Sequence, residues 1–429
     1  MVELLSPAGD LRKLKTAFSF GADAAYMGLP KFSLRANAKN IDLQQREDLI
    51  KIKQQYGNKK LYCTLNIIFH EGQLDGLKQQ VKQLKDWPFD AYIVTDIGAL
   101  DIIKNELPDV DVHLSTQASC INSSAAKMYN RMGFSRIILG REASIKDIRN
   151  IKQAAPEIEL ETFVHGAMCM AYSGRCLLSS YFSSRSANQG DCAHSCRWNY
   201  RLMANEGLEK VLSSETLALE EYERPGEYYT ISEEDGFTTI LSSKDLCMID
   251  HIDELIDAGV CSFKIEGRMK SLYYDAVVTR AYRKAIDKDP LLSEYRKDLF
   301  NISHRKYSTG FFFDKTEEDD ISEPTTDGYE RNYLFIGIIE KEVKKGIWSL
   351  DVRFQVKKGQ TIEYIGKDIL NIVDDDFTLL NSDFEEIDQI DHGKVQYLKT
   401  DKPIQEGYII RRLNNGEIKS TRILNKDRT

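Results

Sequence analysis

Four cysteines lie close enough in the sequence to form one metal site: Cys169, Cys176, Cys192 and Cys196. They are separated by six, fifteen and three residues and make up half of the chain's eight cysteines. In a reducing compartment such thiols do not form disulfides and are available as metal ligands. Structural zinc sites usually show two tight pairs of ligands, and here only Cys192 and Cys196 form one. The spacing leaves two centres open, an iron–sulfur cluster and a zinc ion.

The residues around these cysteines are typical of a functional loop. Gly166, Ser173, Gly174, Gly190 and Asp191 make the stretch polar and glycine-bearing, which does not suit the packing of four buried thiols. The other four cysteines lie in or beside apolar runs and are expected to pack as small apolar side chains: Cys63, Cys120, Cys247 and Cys261.

A second chemistry to weigh is proteolysis. His165 lies four residues before Cys169, so a cysteine–histidine nucleophilic pair is conceivable. Three further cysteines nearby would expose such a nucleophile to oxidation. The chain contains neither the G-x-S-x-G nor the H-E-x-x-H motif of known hydrolases. The sequence thus shows no recognisable proteolytic apparatus.

The elements that must position these residues alternate along the first 290 residues, each short apolar run being followed by a segment of helical spacing. This alternation predicts parallel strands with crossover helices. Eight such units predict a TIM-like (β/α)8 barrel, with a long insertion at about 166–240 after the seventh strand that carries the cysteines. A doubly wound sheet is the alternative, although no G-x-G-x-x-G motif follows any of the strands. The predicted strands are 2–5, 24–27, 61–67, 91–95, 112–115, 136–139, 159–164 and 262–265.

Chemistry in such a barrel takes place at the carboxyl ends of the strands. Several polar residues there, such as Ser6 and Asp96, are expected only to cap helices. The others in the strand-end loops include Asn66, Ser115–Gln117, and Arg141 with Glu142. The candidate catalytic residues are Arg35, Asn37, His165, Lys264, Glu266 and Arg268.

The pattern changes in the last quarter of the chain. Residues 1–313 are assigned to the barrel domain, and the acidic stretch 314–330 to a linker. Short alternating runs with glycines between them predict an all-β domain over 331–429, a small barrel. Its tail from Arg411 onward is basic, which suits either a solvated surface or contact with RNA phosphate.

Composition sets outer limits on function. The 429 residues are 42% hydrophobic with a net charge of −9, which argues against a general coating of nucleic acid. No apolar run of about 18 residues and no signal peptide is present, so we expect a cytoplasmic protein without membrane contact.

Five motifs resemble the collagenase-like peptidase family, peptidase family U32. The most specific is E-x-F-x-x-G-A-M-C-x4-G-x-C-x-L-S, from Glu161 to Ser179. NQGDCAHSCRW, from Asn188 to Trp198, is similar to the tRNA-hydroxylating branch of that family. The remaining motifs extend the resemblance over most of residues 1–320: SPAGD (Ser6–Asp10), FSLRANAKN (Phe32–Asn40) and KIEGRMKS (Lys264–Ser271).

The resemblance implies an iron–sulfur enzyme with a barrel-like catalytic part. Its four cysteines would hold a 4Fe-4S cluster, with zinc as the alternative, and Cys120, Cys247 or Cys261 could replace one ligand. Its reaction would be hydroxylation of the wobble uridine of tRNA to 5-hydroxyuridine, with a small-molecule oxygen donor and an electron donor. The alternatives are a collagenase-like peptidase and a non-enzymatic iron–sulfur assembly or partner protein.

The tRNA implied by the resemblance would be bound near the cysteines. A base from a single-stranded loop can be splayed out and stacked on aromatic side chains, for which Tyr172, Tyr181 and Trp198 are candidates. The terminal β domain would add further contacts. The candidate RNA-binding residues are Arg175, Arg185, Arg197 and Arg201.

Overall fold

A computed structural model describes most of the chain. The described residues are 2–34, 40–169, 171–173, 175–176, 179, 185–187, 191–193, 199–200, 218–220, 228–230, 232–234, 237–239, 244–313 and 332–414. They belong to two compact units. The first comprises Met1–Leu11, Asp23–Met269 and Arg305–Gly328, and the second Arg12–Ala22, Lys270–His304 and Tyr329–Thr429.

Eight parallel strands form the barrel of the first unit: β1 (Glu3–Pro7), β2 (Ala24–Gly28), β3 (Lys60–Leu65), β4 (Ala91–Val94), β5 (Asp111–Leu114), β6 (Arg136–Ile138), β7 (Glu159–Ala167) and β14 (Ser262–Ile265). Each strand pairs in parallel with the next, and β14 pairs with both β1 and β7, which closes the ring. The predicted TIM-like barrel with an insertion after the seventh strand is confirmed.

The strands form where apolar residues run without interruption, because both faces of a parallel barrel are buried. All five residues of β2 are buried, for example. The helices of this unit begin at polar caps, as Asp96, Asn122 and Ser144 each accept backbone N–H bonds at a helix start. They are α2 (Arg46–Tyr56), α3 (Leu74–Gln83), α4 (Ile97–Glu106), α5 (Ser123–Arg131), α6 (Ile145–Ala154) and α7 (Ile252–Asp257).

The insertion returns to the barrel beside the strand it leaves. Strand β13 (Asp245–Cys247) runs antiparallel to the end of β7, with Asp245 opposite Ala167, and β15 (Tyr307–Ser308) pairs with β13. A buried ion pair holds this join, since the Arg305 Nη2 donates to Asp245 Oδ1 at 2.6 Å. Within the insertion, the described strands form two small separate sheets: β8 (Asn199–Tyr200), β9 (Ala218–Glu220), β10 (Tyr228–Thr230), β11 (Ser232–Glu234) and β12 (Phe237–Thr239).

The second unit combines three helices with a β module. The helices are α1 (Leu11–Ser19), which belongs here from Arg12 onward, α8 (Leu272–Ile286) and α9 (Leu292–Lys297). The strands are β16 (Tyr333–Lys344), β17 (Ile347–Val352), β18 (Val356–Lys357), β19 (Ile362–Ile365), β20 (Ile372–Asp374), β21 (Thr378–Leu380), β22 (Glu386–Ile387), β23 (Gln389–Ile390), β24 (Tyr397–Lys399) and β25 (Ile409–Leu413).

Eight of these strands form one antiparallel sheet in the order β20-β19-β25-β16-β17-β24-β21-β22. The predicted C-terminal all-β domain is confirmed, and it is a half-barrel, since in the described residues the two edge strands of this sheet do not pair. The domain boundaries 1–313 and 331–429 stay a prediction, and the linker 314–330 lies outside the described residues.

A buried ion network joins the helices of this unit to its β module. Asp298, which follows α9, accepts from Arg280 Nη2 at 2.5 Å and pairs with Arg411 Nη2 at 2.8 Å. Arg411 on β25 also pairs with Glu363 of β19 at 2.6 Å. The charges of two buried arginines are thus compensated by carboxylates from two different elements.

No helix in the described part of the chain is both long and apolar enough to cross a membrane.

Candidate active site

The loops at the carboxyl ends of the barrel strands are tied together by Arg268. This buried arginine follows β14, and its guanidinium donates to Ser33 Oγ (2.8 Å), Thr64 Oγ1 (3.2 Å) and Asn40 Oδ1 (2.5 Å). Gly28 makes room for it, because a Cβ there would lie 2.3 Å from Arg268 Nη2. Arg268 therefore fixes both ends of the loop after β2. Arg35 and Asn37, predicted in that loop, lie outside the described residues.

Lys264 lies inside the barrel. Only 3% of the residue is exposed, and its Nζ donates to Glu161 Oε1 at 2.9 Å and lies 4.4 Å from the centre of the Tyr26 ring. Glu161 is fully buried and also accepts from Arg136 Nη1 and Ser262 Oγ, each at 3.1 Å. Burial lowers the pKa of Lys264, and the Glu161 carboxylate opposes that shift. The structure thus places this predicted residue in an ionic network of the barrel interior.

His165 and Glu266 come together at the ends of β7 and β14. The Glu266 N–H donates to the His165 carbonyl oxygen at 2.9 Å. The buried His165 ring has its Nε2 3.5 Å from the hydroxyl of Tyr307, and the two ring centres are 5.2 Å apart. Tyr307 was not predicted, because it follows the barrel and β15 is too short to recognise from periodicity. The pair has the residue types for proton transfer.

Arg141, in the loop after β6, connects these elements to the cysteine insertion. Its Nη1 donates to the Ala167 carbonyl oxygen at 2.5 Å, two residues before Cys169. Its Nη2 lies 3.6 Å from Glu266 Oε2, and its guanidinium stacks 4.2 Å from the centre of the Phe163 ring. The start of the insertion is therefore held by a cation that also pairs with a candidate catalytic carboxylate.

The cysteine loop is also fixed on the loops after β5 and β6. Ser173, between Cys169 and Cys176, donates its N–H to Glu142 Oε1 at 2.9 Å. Its hydroxyl lies 3.5 Å from Thr116 Oγ1, and its carbonyl oxygen accepts a short hydrogen bond from the Ser119 hydroxyl. These contacts give Glu142 and Thr116 a positioning role that their place in the sequence did not specify.

The predicted metal ligands are only partly described. Cys169 is exposed and Cys176 and Cys192 are half-buried, whereas Cys196 lies outside the described residues. In the described ranges no group of three or more His, Cys, Asp or Glu side chains is arranged to hold a metal ion. The four-cysteine centre stays a prediction.

The other four cysteines lie outside the cysteine loop. Cys63 and Cys120 are buried, and burial raises the pKa of both thiols, that of Cys120 to about 11. Burial also raises the pKa of the half-buried Cys261. A raised pKa keeps a thiol protonated and unreactive, as expected for packing residues. Cys247 lies on β13, directly opposite His165.

The predicted RNA-binding residues differ in their surroundings. Arg185 is exposed but pairs with Asp191 at 2.7 Å, and this partner raises its pKa. Arg175 is exposed beside Tyr172, of which 60% is accessible. The remaining candidates of this set lie outside the described residues: Arg197, Arg201, Tyr181 and Trp198.

Both the barrel part and the C-terminal β part of the chain match models of known protein families. Residues 9–322 match the model of peptidase family U32, and residues 331–411 match that of the peptidase family U32 C-terminal domain. The chain is 36% identical to tRNA hydroxylation protein P of Escherichia coli over 84% of its length and 85% of the relative's.

Two other relatives carry different names. Identity to tRNA hydroxylation protein P1 of Bacillus subtilis is 35%, over 96% of this chain and 94% of the relative. A protein named collagenase from Porphyromonas gingivalis is 29% identical over 72% of this chain and 73% of its own. With a family match over most of its length and relatives above 30% identity along nearly the whole chain, this protein belongs to peptidase family U32.

Proposed function

We propose that this protein is an enzyme that hydroxylates the wobble uridine of tRNA to 5-hydroxyuridine. The observation that carries the proposal is the likeness to two tRNA hydroxylation proteins along nearly the full length of all three chains. The barrel mouth, meaning the carboxyl ends of the barrel strands, supports it, because His165, Glu266 and Arg268 lie there together with Ala167, where the cysteine loop begins.

The cofactor in this proposal is a 4Fe-4S cluster held by Cys169, Cys176, Cys192 and Cys196, with zinc as the alternative. Bound there, a cluster would supply electron transfer. An electron donor and a small-molecule oxygen donor complete the proposed reaction. The protein's own contribution is to position this loop, through the bonds of Arg141 to Ala167 and of Glu142 to Ser173.

The mouth residues have separate proposed tasks. The His165–Tyr307 pair donates or accepts a proton at the carboxyl end of β7. Arg268 holds Ser33 and Asn40, the described residues on either side of the candidates Arg35 and Asn37. The exposed Tyr172 ring offers a surface on which the unpaired base can stack, and Arg175, Arg185, Arg197 and Arg201 contact tRNA phosphates.

The test is the nucleoside content of tRNA from cells that lack this protein. We expect a hydroxylated uridine to disappear and to return when the intact protein is restored. The Cys176→Ser variant should not restore it, whereas Cys63→Ala, at a buried thiol outside the loop, should. Iron and sulfide content of anaerobically purified protein should fall in the first variant alone.

Other outcomes favour the alternatives. An unchanged nucleoside profile, together with gelatin cleavage by metal-free protein, would support a peptidase, the class of the relative named collagenase. An unchanged profile without cleavage would leave a non-enzymatic iron–sulfur partner protein, or an enzyme whose substrate is a small molecule or ribosomal RNA. Stoichiometric zinc without iron would show that the proposed cluster is wrong and zinc is the metal, and it would leave the proposed tRNA substrate untested.

A further inference from the structure

We propose that the outer face of the C-terminal β module binds a single-stranded segment of the RNA substrate. The surface, here called the aromatic–lysine face, consists of Lys344, Phe384, Tyr397 and Lys399. It lies wholly within the second unit. The inference rests on the proposed function, since it names a second contact for the same tRNA.

Strand register brings this face together. Lys344 of β16 is opposite Ile347 of β17, which is opposite Lys399 of β24. Two rows further along these strands, Tyr397 is opposite Ser349. Residues opposite each other in a sheet lie on one side of it, and the row between these two points to the other side. The intervening row contributes Leu398 and Trp348 to the core of the module, so the lysine rows face outward.

Two aromatic rings lie flat against each other on this face. The ring centres of Phe384 and Tyr397 are 4.7 Å apart, and their planes differ by 12°. Lys344 Nζ lies 3.6 Å from the centre of the Phe384 ring. Both rings are half-exposed and neither belongs to the buried core cluster of the module. One face of the Phe384 ring is therefore covered by Tyr397, and the other by the Lys344 ammonium.

The backbone presents Phe384 in a conformation that large side chains rarely adopt. Its φ of 66° is left-handed, where glycine or asparagine is usual. The turn is imposed by Asn381, whose carbonyl oxygen accepts from the Phe384 N–H at 3.1 Å. The Asn381 side chain accepts from the N–H groups of Asp383 and Glu385, each at 2.9 Å. A strained residue with a half-exposed ring indicates a function for the ring.

The charge of this face suits a polyanion, although the whole chain carries −9. Glu342, Asp383 and Glu385 lie near these strands, and Glu342 and Glu385 accept hydrogen bonds from Gly346 and Asn381. Within the described part of the chain, five lysines on or beside the face have no carboxylate within ion-pair distance: Lys341, Lys344, Lys345, Lys399 and Lys402.

Stacked aromatic rings flanked by unpaired cations are the arrangement that proteins use for single-stranded nucleic acid. The bases of an A-form duplex are paired and stacked, so flat rings on a sheet cannot reach their faces. We therefore infer an unpaired stretch of RNA: one phosphate draws the Lys344 ammonium off the Phe384 ring, a base stacks on the ring face that Lys344 leaves, and Lys399 binds a second phosphate.

The experiment measures binding of full-length protein to bulk tRNA from cells lacking the protein, and to single-stranded and duplex RNA oligonucleotides. Phe384→Gly should weaken binding of single strands by at least about fivefold, from stacking worth about 1–3 kcal/mol per base. It should leave the thermal midpoint close to wild type, because glycine relieves the backbone strain. Tyr397→Phe retains the ring and should bind normally.

The lysines are tested by salt dependence. The double variant Lys344→Glu and Lys399→Glu should lower the slope of log affinity against log salt by about 1.4, from about 0.7 per phosphate contact on single strands. Lys357→Glu makes one such substitution on β18, outside the face, and should leave the slope unchanged, whereas Lys344→Glu alone should lower it by about 0.7.

Unchanged single-strand affinity in Phe384→Gly would overturn the inference, as would an equal loss for duplex and single strands. Loss of a co-purifying protein partner with intact RNA affinity would also overturn it, in favour of a protein-binding face. The nucleoside assay separates this failure from that of the proposed function. If wild-type protein restores the hydroxylated uridine while the face variants bind tRNA normally, the function stands and the inference fails.

Discussion

Replacing Glu161 with glutamine is expected to destabilise the protein by about 3–5 kcal/mol. The change preserves the shape of the side chain but removes the only carboxylate that bonds directly to Lys264 Nζ among the described residues, at 2.9 Å. Arg136 loses less, because it also pairs with Glu3 (2.5 Å) and Glu159 (2.6 Å). The cost therefore arises mainly at the lysine.

The part of this destabilisation that arises at Lys264 has an upper limit, which is the free energy of deprotonating the lysine. A buried ammonium without a counterion can release its proton instead of remaining charged. Deprotonating a lysine at pH 7 costs about 4.6 kcal/mol, from about 1.36 kcal/mol per pH unit below an ordinary pKa of about 10.4. If Lys264 stays charged, the contact of its Nζ with the Tyr26 ring reduces the cost of the unpaired ammonium.

The same argument predicts the effect of pH. Without Glu161 the pKa of Lys264 falls further in the folded protein, so the unfolded chain binds more protons than the folded one. Stability of the variant therefore rises with pH between the lowered pKa of Lys264 in the folded protein and about 10.4, the pKa in the unfolded chain, and in that range its deficit should shrink by up to about 1.4 kcal/mol per pH unit.

Urea unfolding at pH 7 and pH 9, followed by circular dichroism, measures both quantities. Adding Lys264→Met to Glu161→Gln should recover part of the loss, because no charge is then left unpaired. Glu157→Gln, at an exposed carboxylate before the same strand, is the control and should change stability by less than about 0.5 kcal/mol. A Glu161→Gln variant as stable as wild type at both pH values would refute the reasoning.

Three further predictions concern other described sites. Asp298→Asn leaves two buried arginines short of a counterion and should lower the free energy of unfolding by about 3–5 kcal/mol, measured by urea unfolding; no change would show that the arginines are otherwise compensated. Gly28→Ala inserts a Cβ 2.3 Å from Arg268 Nη2 and should abolish restoration of the tRNA nucleoside while the protein still folds; full restoration would contradict the role of the clamp. Burial and nearby cations lower the pKa of His113, so the stability that this residue contributes above about pH 6.5 should fall by up to about 1.4 kcal/mol per unit as the pH drops further. His113→Asn should remove that part of the acid sensitivity, and thermal midpoints at pH 5 and 7 compare the two proteins.

The barrel could be predicted because its strands are buried on both faces and therefore appear as uninterrupted apolar runs. The insertion could also be predicted, for the opposite reason: its polar composition interrupts the pattern of apolar runs. Strands β13 and β15 were missed since two or three residues cannot show a period. Their pairing depends on the contact of Asp245 with Arg305, which are sixty positions apart.

The sequence located the site better than it assigned tasks to its residues. Lys264 was predicted at a strand end, yet its side chain lies in the barrel interior because its partner Glu161, on β7, becomes a neighbour only when the ring closes. Arg268 has a comparable dependence on Ser33, in the loop after β2, and on Thr64 of β3. Such partners are set by tertiary structure and cannot be read from local spacing.

The join between β7 and β13 has a consequence for how such a protein can change. The insertion starts and ends at one place, where Ala167 pairs with Asp245 and Arg305 holds Asp245 from the side. Once the two ends of a segment are fixed together, doubling its length costs only about 0.6 kcal/mol of chain entropy. The barrel can therefore carry segments of very different length and content between these two residues with little effect on its own stability. A new substrate preference can arise by exchange of this one loop, while the strands that support the chemistry remain as they are.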